Sequence, residues 1–194
     1  MIKTLTIIST LGISLAAFAA APATAPADKP AAINTECPIT GKPANPKCNL
    51  AYEDTTYAFC SGDCRKKFQA DRDSSLYQQL GGKAAIDAAV ELFYVKVLAD
   101  DRVKHFFDDV SMAKQKRKQK AFLSAALGAP VKWDGKDMRK AHADMKLNDT
   151  HFNAIAEHLQ ATLVELKVSK ELIDRVLAVV ETTRADVLNR PKSS

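Results

Sequence analysis

The sequence of 194 residues lacks a strong charge of either sign, internal repeats, and any cysteine after position 64. Its formal net charge of +5 is modest and spread along the chain, so we expect no nucleic-acid partner. All four cysteines lie within residues 33–73, whereas residues 74–189 are helical in pattern. The hydrophobic fraction of 46% permits a packed core, and the length suits one ordinary domain plus a small one.

The N-terminal segment lacks an apolar run long enough for a membrane span, which needs about 20 residues. Lys3 precedes a shorter apolar stretch that ends in small residues with Ala-x-Ala sites, a pattern typical of a secretory signal peptide. We therefore predict a signal peptide over residues 1–25, a disordered linker over residues 26–32, and export, to the periplasm if the signal is bacterial. An uncleaved anchor is the alternative.

Residues 33–73 combine turn-forming residues, a hairpin pattern and one short helix. β-favouring residues flank Glu53-Asp54 and predict a hairpin, and the residues after Cys64 predict a helix. Cys60 and Cys64 have C-x3-C spacing where the hairpin meets the helix, and Cys37 lies on an earlier turn. Three thiolates around one point suit copper(I), zinc or a similar soft ion.

This segment resembles the YHS/TRASH family of small metal-binding modules. The matching features are Cys37-Pro-Ile-Thr-Gly-Lys-Pro, the aromatic pair Tyr57 and Phe59, and Cys60-x-x-x-Cys64-x-x-x-Phe68. The resemblance implies a transition- or heavy-metal ion, such as copper or zinc, at Cys37, Cys60 and Cys64. Cys48 stands outside the pattern, as a fourth ligand or a disulfide partner. Two disulfides are the alternative, because four cysteines in an exported chain allow three pairings.

Residues 74–189 predict an all-α domain, followed by a short tail over residues 190–194. Ile86, Val90, Phe93 and Val97 recur at helical spacing and predict the buried face of a long helix. The other expected elements are a helix capped by Asp73 or Ser74 and ended by Gly81-Gly82, a turn-like element over residues 100–109, a helix over residues 111–127, a short helix over about residues 138–145, a helix capped by Asp149 or Thr150, and a last helix capped by Ser169.

Several motifs of this domain, in the same order, resemble those of group I truncated haemoglobins. They are Ser75-Leu-Tyr-Gln-Gln-Leu-Gly-Gly, Phe93-Tyr94-Val-Lys-Val-Leu-Ala-Asp-Asp, His105-Phe-Phe, Lys118-Gln119-Lys-Ala-Phe-Leu-Ser-Ala-Ala-Leu-Gly and the stretch around Asp137-Met-Arg-Lys-Ala-His. The resemblance covers essentially the whole domain. It implies a truncated globin two-over-two helical sandwich that binds haem, which needs a neutral imidazole on its proximal side.

The resemblance also implies roles for individual residues. His142 corresponds to the proximal iron ligand and Tyr94 to the distal tyrosine. Gln119 and Gln115 lie one turn apart on the distal helix, where Gln115 faces either the iron or solvent. The remaining implied pocket residues are Phe107 stacked on the porphyrin with Phe106 beside it, the lining residues Phe93, Phe122, Met138 and Phe152, and Lys118 as a partner for a haem propionate. His151 and His158 are expected at the surface, and His105 is expected either at the surface or as a ligand of a heavy-metal ion.

No C-x-x-C-H motif occurs, so the resemblance implies a dissociable haem b. The expected function is reversible binding of O2, NO or another diatomic ligand. The alternatives are an enzyme with NO dioxygenase or peroxidase-like activity, and a protein that handles copper or zinc through its cysteines. An enzyme of this kind requires an external electron donor, because nothing in the sequence resembles a flavin or nicotinamide domain.

Overall fold

The structure, a computed structural model, describes residues 31–131 and 133–191. A two-stranded antiparallel sheet is followed by helices, as predicted. In chain order the elements are β1 (Asn45–Tyr52), β2 (Thr55–Phe59), α1 (Gly62–Ser74), α2 (Leu76–Gln79), α3 (Gly82–Val97), a 3₁₀ helix (Lys104–Phe107), α4 (Met112–Ala126), α5 (Met138–His142), α6 (Asp149–Glu165), α7 (Lys170–Glu181) and α8 (Arg184–Val187).

The N-terminal segment folds around a small aromatic core of its own. The hairpin turns at Glu53-Asp54, where Tyr52 pairs with Thr55. Tyr57 and Phe59 of β2 each lie 5.1 Å, between ring centroids, from Phe68 of α1. Burial of these rings supplies the apolar area that holds the hairpin against the helix, and the predicted hairpin is confirmed.

Helix α1 is longer than the sequence suggests. Ser61 caps it by accepting a hydrogen bond from the Cys64 N–H at 3.3 Å, and it continues to Ser74. Two exposed residues one turn apart, Lys67 and Asp71, form an ion pair, with 3.0 Å between Nζ and Oδ2. This pair stabilises the later turns of α1. Because α1 uses Ser74, the cap of α2 is Ser75, and the predicted cap at Asp73 or Ser74 is wrong.

Helix α3 lies at the centre of the helical core. It packs against α4 and α6, and α6 packs against α7. Its predicted inner face is confirmed, since Ile86, Val90, Phe93 and Val97 are all buried. The spacing of apolar residues along α3 therefore sets which side of this helix meets its neighbours.

Two features near the C-terminus differ from the sequence expectation. The cap of α6 is Asn148 rather than Asp149 or Thr150: its side chain accepts from the His151 N–H at 3.1 Å, and His151 Nδ1 accepts from the Asn148 N–H at 3.3 Å. This reciprocal pair satisfies two backbone donors at once. The second difference is α8, a short helix after α7 that the sequence pattern did not predict.

The hairpin tip docks on the start of α3. The carboxylate of Glu53 accepts from the Lys83 backbone N–H at 3.1 Å and from the Tyr77 hydroxyl at 2.8 Å. Gly81, at the N-cap of α3, has no side chain to satisfy that N–H, so Glu53 caps the helix from another element. Gly82 permits the approach, because a Cβ there would lie 3.1 Å from Glu53 Oε1.

A second contact joins the hairpin to the loop after α4. The Tyr57 hydroxyl of β2 donates to the Pro130 carbonyl at 3.0 Å. The cysteine-bearing segment is thus hydrogen-bonded to the helical domain at α2, at the start of α3 and in the loop after α4.

The predicted signal peptide lies outside the described residues. So do residues 26–30 of the predicted linker and residues 192–194 of the predicted tail. Among the helices that the structure does describe, none has the length and apolar character needed to cross a bilayer.

Replacing Glu53 with alanine removes the acceptor for both the Lys83 N–H and the Tyr77 hydroxyl. We expect the free energy of unfolding to fall by about 1–2 kcal/mol. Urea unfolding followed by circular dichroism measures this change. Asp54→Ala is the matched control, because the Asp54 side chain is 86% exposed and lies 3.7 Å from Lys83 Nζ. Equal losses in the two variants would show that Glu53 does not act as a cap.

Candidate functional site

Tyr94 lies in the last turn of α3 and is 2% exposed. Its ring contacts Phe93 and Phe107 edge-on, with ring centroids 5.1 and 5.7 Å apart. Gln115 of α4 donates from Nε2 to the Tyr94 hydroxyl at 3.0 Å. Burial raises the pKa of Tyr94 despite this hydrogen bond, so the phenol stays protonated at neutral pH. Since its oxygen accepts from Gln115, its own proton remains available to a further acceptor.

The inner face of α4 holds both predicted glutamines. Gln115 contacts the Tyr94 hydroxyl, so its amide faces the core of the domain; its predicted place over the iron stays a prediction. Gln119 lies one turn later and is half-buried. Its side-chain amide makes no hydrogen bond to any described residue. Phe122, a turn beyond, packs edge-on against Trp133 with ring centroids 5.6 Å apart. Lys118 is exposed, on the side of α4 that solvent reaches.

The 3₁₀ helix brings two adjacent phenylalanines to the edge of the core. Phe106 and Phe107 are both half-buried and pack against the buried side chains of the core. Phe106 also lies between two imidazoles, 4.1 Å from His105 and 5.0 Å from His151 between ring centroids. Two large rings that the protein itself covers only in part leave apolar surface for a flat ligand.

His142 is the last residue of α5 and is half-buried. Its Nδ1 lies 2.7 Å from the carbonyl oxygen of Met138, one turn earlier. A carbonyl can only accept, so Nδ1 carries a proton, and in the neutral imidazole Nε2 is then the nitrogen with the lone pair. This is the arrangement of a histidine that binds a metal through Nε2, with its ring orientation fixed by the second nitrogen.

Phe152, predicted to line the pocket, is buried at the start of α6. It is 6% exposed, and the guanidinium of Arg184 lies over its ring at 4.2 Å. Met138 is half-buried, and its backbone carbonyl accepts the hydrogen bond from His142 Nδ1.

Three cysteines form a second cluster, in the N-terminal segment. The sulfur atoms of Cys37, Cys60 and Cys64 all lie within 4.8 Å of one another, and those of Cys60 and Cys64 are 3.5 Å apart. Cys48 packs against the same aromatic core but is not part of the cluster. All four cysteines are free thiols.

The surroundings of Cys37 favour its thiolate. Burial, the largest influence, raises its pKa, but hydrogen bonds from the backbone of Cys60 and from Thr40 outweigh it and lower the pKa of the thiol. The pKa of Cys64 shifts the other way: a hydrogen bond with Ser61 lowers it, but contacts with the Cys60 and Cys37 sulfurs raise it. Cys37 thus ionises more readily than Cys64, and a bound cation would favour further ionisation of the cluster.

Comparison with known families matches one model, described as bacterial-like globin, to residues 75–189 of this chain. The chain belongs to the bacterial-like globin family. The match begins one residue after α1 ends, and it includes all the residues predicted for a haem pocket.

Curated relatives of this globin include group 1 truncated hemoglobins. The protein of Synechocystis sp. is 51% identical over 123 residues, which cover 60% of this chain and 99% of that protein. The Tetrahymena thermophila protein is 48% identical over 119 residues, which cover 61% of this chain and 98% of that protein. The similarity therefore spans the relatives almost completely and leaves the first part of this chain, cysteines included, unmatched.

Solved structures agree with the globin fold. The 2/2 hemoglobin of Synechococcus sp. PCC 7002, in the cyanomet state with covalently attached heme, has a TM-score of 0.59 and 53% identity, and covers 60% of this chain and all of that chain. Truncated hemoglobin from Tetrahymena pyriformis in the Fe(III) form has a TM-score of 0.58 and 49% identity, and covers 59% of this chain and 98% of that chain. The predicted two-over-two globin fold is confirmed.

The side chains of this globin suit a haem group. His142 presents an Nε2 lone pair, Tyr94 presents a hydroxyl proton, and the rings of Phe93 and Phe107 pack against the Tyr94 ring. The donor set on the His142 side is one imidazole, which is the axial ligand used by globins. Within the part of the chain that the structure describes, His142 belongs to no group of three or more His, Cys, Asp or Glu ligands, so this site matches an iron porphyrin better than a bare ion.

Sequence reasoning missed two polar contacts between distant parts of the chain. His158, expected at the surface, is half-buried and its Nε2 lies 2.6 Å from a carboxylate oxygen of Asp100. Arg139, three residues before His142, pairs with Asp186 at 3.0 Å. The partners are 58 and 47 positions apart, so no local pattern in the sequence signals either contact.

Proposed function

We propose that this globin binds one haem b non-covalently through Nε2 of His142 and that it reversibly binds O2, NO or another diatomic ligand. Haem iron with a single histidine ligand supplies a coordination position for such a ligand. The observation that carries the proposal is the hydrogen bond between His142 Nδ1 and the Met138 carbonyl, which leaves Nε2 as the ligand atom. It lies in a domain that belongs to a globin family.

On the opposite side of the pocket, Tyr94 and Gln115 would act together. Gln115 holds the Tyr94 oxygen by donating to it, and the Tyr94 proton then points to a ligand that carries partial negative charge. A hydrogen bond to a charged group contributes about 1.5–3 kcal/mol in a site that excludes water. We therefore infer that Tyr94 slows ligand release. Gln119, half-buried and without a partner among the described residues, is the second candidate donor.

The aromatic residues of the pocket would exclude water and stack on the porphyrin. Phe107 contacts the Tyr94 ring, so it lies on the side of the pocket where the ligand would bind. Phe93, Phe106 and Phe122 extend this apolar surface. Lys118 is exposed and makes no ion pair with a described residue, which leaves its ammonium group available to a propionate.

Substituting His142 with alanine tests the proposed ligand atom. We expect the wild-type protein to take up one equivalent of haem and to give a stable oxygenated spectrum when ferrous. His142→Ala should lose that spectrum, because no other imidazole replaces Nε2. His105→Ala, which removes an exposed imidazole, should behave as the wild type. Uptake and spectra that are the same in His142→Ala and wild type would refute the assignment.

Removing the Tyr94 hydroxyl tests the proposed hydrogen bond to the diatomic ligand. In Tyr94→Phe we expect O2 to dissociate roughly tenfold or more faster, which corresponds to about 1.4 kcal/mol. Gln115→Leu should show a smaller increase, since it orients the hydroxyl. Stopped-flow replacement of O2 by CO measures the rates. Tyr77→Phe is the control, because Tyr77 is equally buried but hydrogen-bonds to Glu53 at the hairpin. An unchanged rate in Tyr94→Phe would exclude this role.

A second function, binding of a soft metal ion such as copper(I) or zinc, is proposed for the three-cysteine cluster. It is supported by three sulfur atoms within 4.8 Å of one another and by the lowered pKa of Cys37. Thiolate-only ligation favours these ions over magnesium or calcium. Export of the chain, proposed from residues 1–25, would put the cluster in a compartment where disulfides compete with the metal.

Titration of the reduced full chain with zinc, and separately with copper(I), in competition with a colorimetric chelator tests the cluster. We expect one ion per chain. In Cys37→Ser the affinity for the ion should fall roughly tenfold or more, because loss of a direct ligand should lower affinity at least as much as loss of a residue that only hydrogen-bonds to a ligand. Cys48→Ser should bind as the wild type does, because Cys48 lies outside the cluster. Equal losses in Cys37→Ser and Cys48→Ser would contradict a three-cysteine site.

A further inference from the structure

Helix α5, which carries His142, is a single turn of five residues. The described residues before it, from 128 to 137, and those after it, from 143 to 148, form turns and irregular chain. Its cap, Asp137, accepts from the Lys140 N–H at 2.8 Å. One helical turn is not stable by itself in water. The position of the His142 ring therefore depends on contacts that α5 makes with other elements.

Those contacts come from α8 and the residues that follow it. Arg139 donates from Nη2 to a carboxylate oxygen of Asp186 at 3.0 Å and to the Arg190 carbonyl at 2.6 Å. Its Nε approaches the same Asp186 oxygen at 3.3 Å. The side-chain amide of Asn189 donates to the Arg139 carbonyl at 3.4 Å. Both the side chain and the backbone of Arg139 are thus held by α8 and its C-terminal end.

Asn189 allows the chain to turn back towards α5. Its φ of 53° is left-handed, a conformation that asparagine adopts more readily than most residues. The turn brings the Asn189 amide and the Arg190 carbonyl to the same residue of α5.

Helix α8 is itself anchored to the core. Arg184 donates to Asp149 at 3.0 Å and to Asn153 at 2.9 Å, both near the start of α6. Its guanidinium covers Phe152, which is 6% exposed. Arg190 adds a further ion pair with Asp149. The sequence of contacts therefore runs from the core through α6 and α8 to α5.

We infer that Arg139 and Asp186 are positioning residues that fix the ring of His142 by tying α5 to α8. The inference rests on the proposed function, because iron ligation is what makes the position of this ring matter. The Arg139 guanidinium on α5 contacts Asp186 through two nitrogens at once, which the single ammonium group of a lysine cannot do. The side chains of Arg139 and Asp186 are 37% and 31% exposed, so water screens the pair in part and the effect is moderate.

The first test needs no haem. Amide hydrogen exchange is followed by mass spectrometry on the full chain, as wild type, Arg139→Lys and Asp186→Asn. We expect exchange over residues 138–142 to be about fivefold faster in both variants, while exchange in α3 is unchanged. Asp174→Asn is the matched control, because it removes an exposed ion pair with Lys170 (2.6 Å) on α7, away from α5.

The second test uses the haem-loaded protein. Haem release to excess apomyoglobin should be about fivefold faster in Arg139→Lys and Asp186→Asn than in the wild type or Asp174→Asn. The iron–histidine stretching band in the resonance Raman spectrum of the ferrous protein should shift or broaden, which a loss of general stability would not produce.

The two tests separate the failure of the inference from the failure of the proposed function. A wild type that takes up no haem refutes the function, and hydrogen exchange then still decides whether the pair holds α5. Unchanged exchange over residues 138–142 overturns the inference, as does an effect of Asp174→Asn equal to that of Arg139→Lys. An unchanged haem release rate and Raman band in haem-loaded Arg139→Lys also overturn it.

Discussion

The hydrogen bond between His142 Nδ1 and the Met138 carbonyl is the contact on which the proposed haem site depends. It sets the tautomer of the imidazole and the direction in which Nε2 points. It lies within a five-residue helix that cannot keep its own position, so the rest of the domain has to supply the rigidity. Core helices α3, α6 and α7 do so indirectly, because α8 and α5 are attached to them in turn.

The two sides of the pocket are built in different ways. Tyr94 projects from a sixteen-residue helix whose inner face is buried, so its hydroxyl is fixed by packing and needs one further contact, from Gln115. His142 ends a single helical turn that lies between irregular segments, and polar contacts tie that turn to α8 and the residues after it. Apolar packing changes little with salt or pH, whereas ion pairs are screened by salt. We therefore expect the geometry around His142, rather than that around Tyr94, to respond to ionic conditions.

The sequence predicted what depends on local pattern and missed what depends on distant partners. Ile86, Val90, Phe93 and Val97 share one face at helical spacing, and all four are buried. Helix caps were less certain, because Ser74 and Ser75, or Asn148 and Asp149, are equally good caps until the neighbouring helix is known. Within the site, Tyr94 and His142 were found by resemblance to a family. The role of Gln115 stayed open, since a helix of mixed charge does not show which side faces inward.

The hairpin that caps α3 joins two parts of the chain that differ in chemistry. An ion that binds only the folded cysteine segment adds RT ln(1 + [L]/Kd) to the stability of whatever folds with that segment. Because Glu53 and Tyr57 bond to α3 and to the loop after α4, the helices that carry Tyr94 and Gln115 share in that gain. The supply of metal would then govern how long the globin survives proteolysis, without touching its pocket.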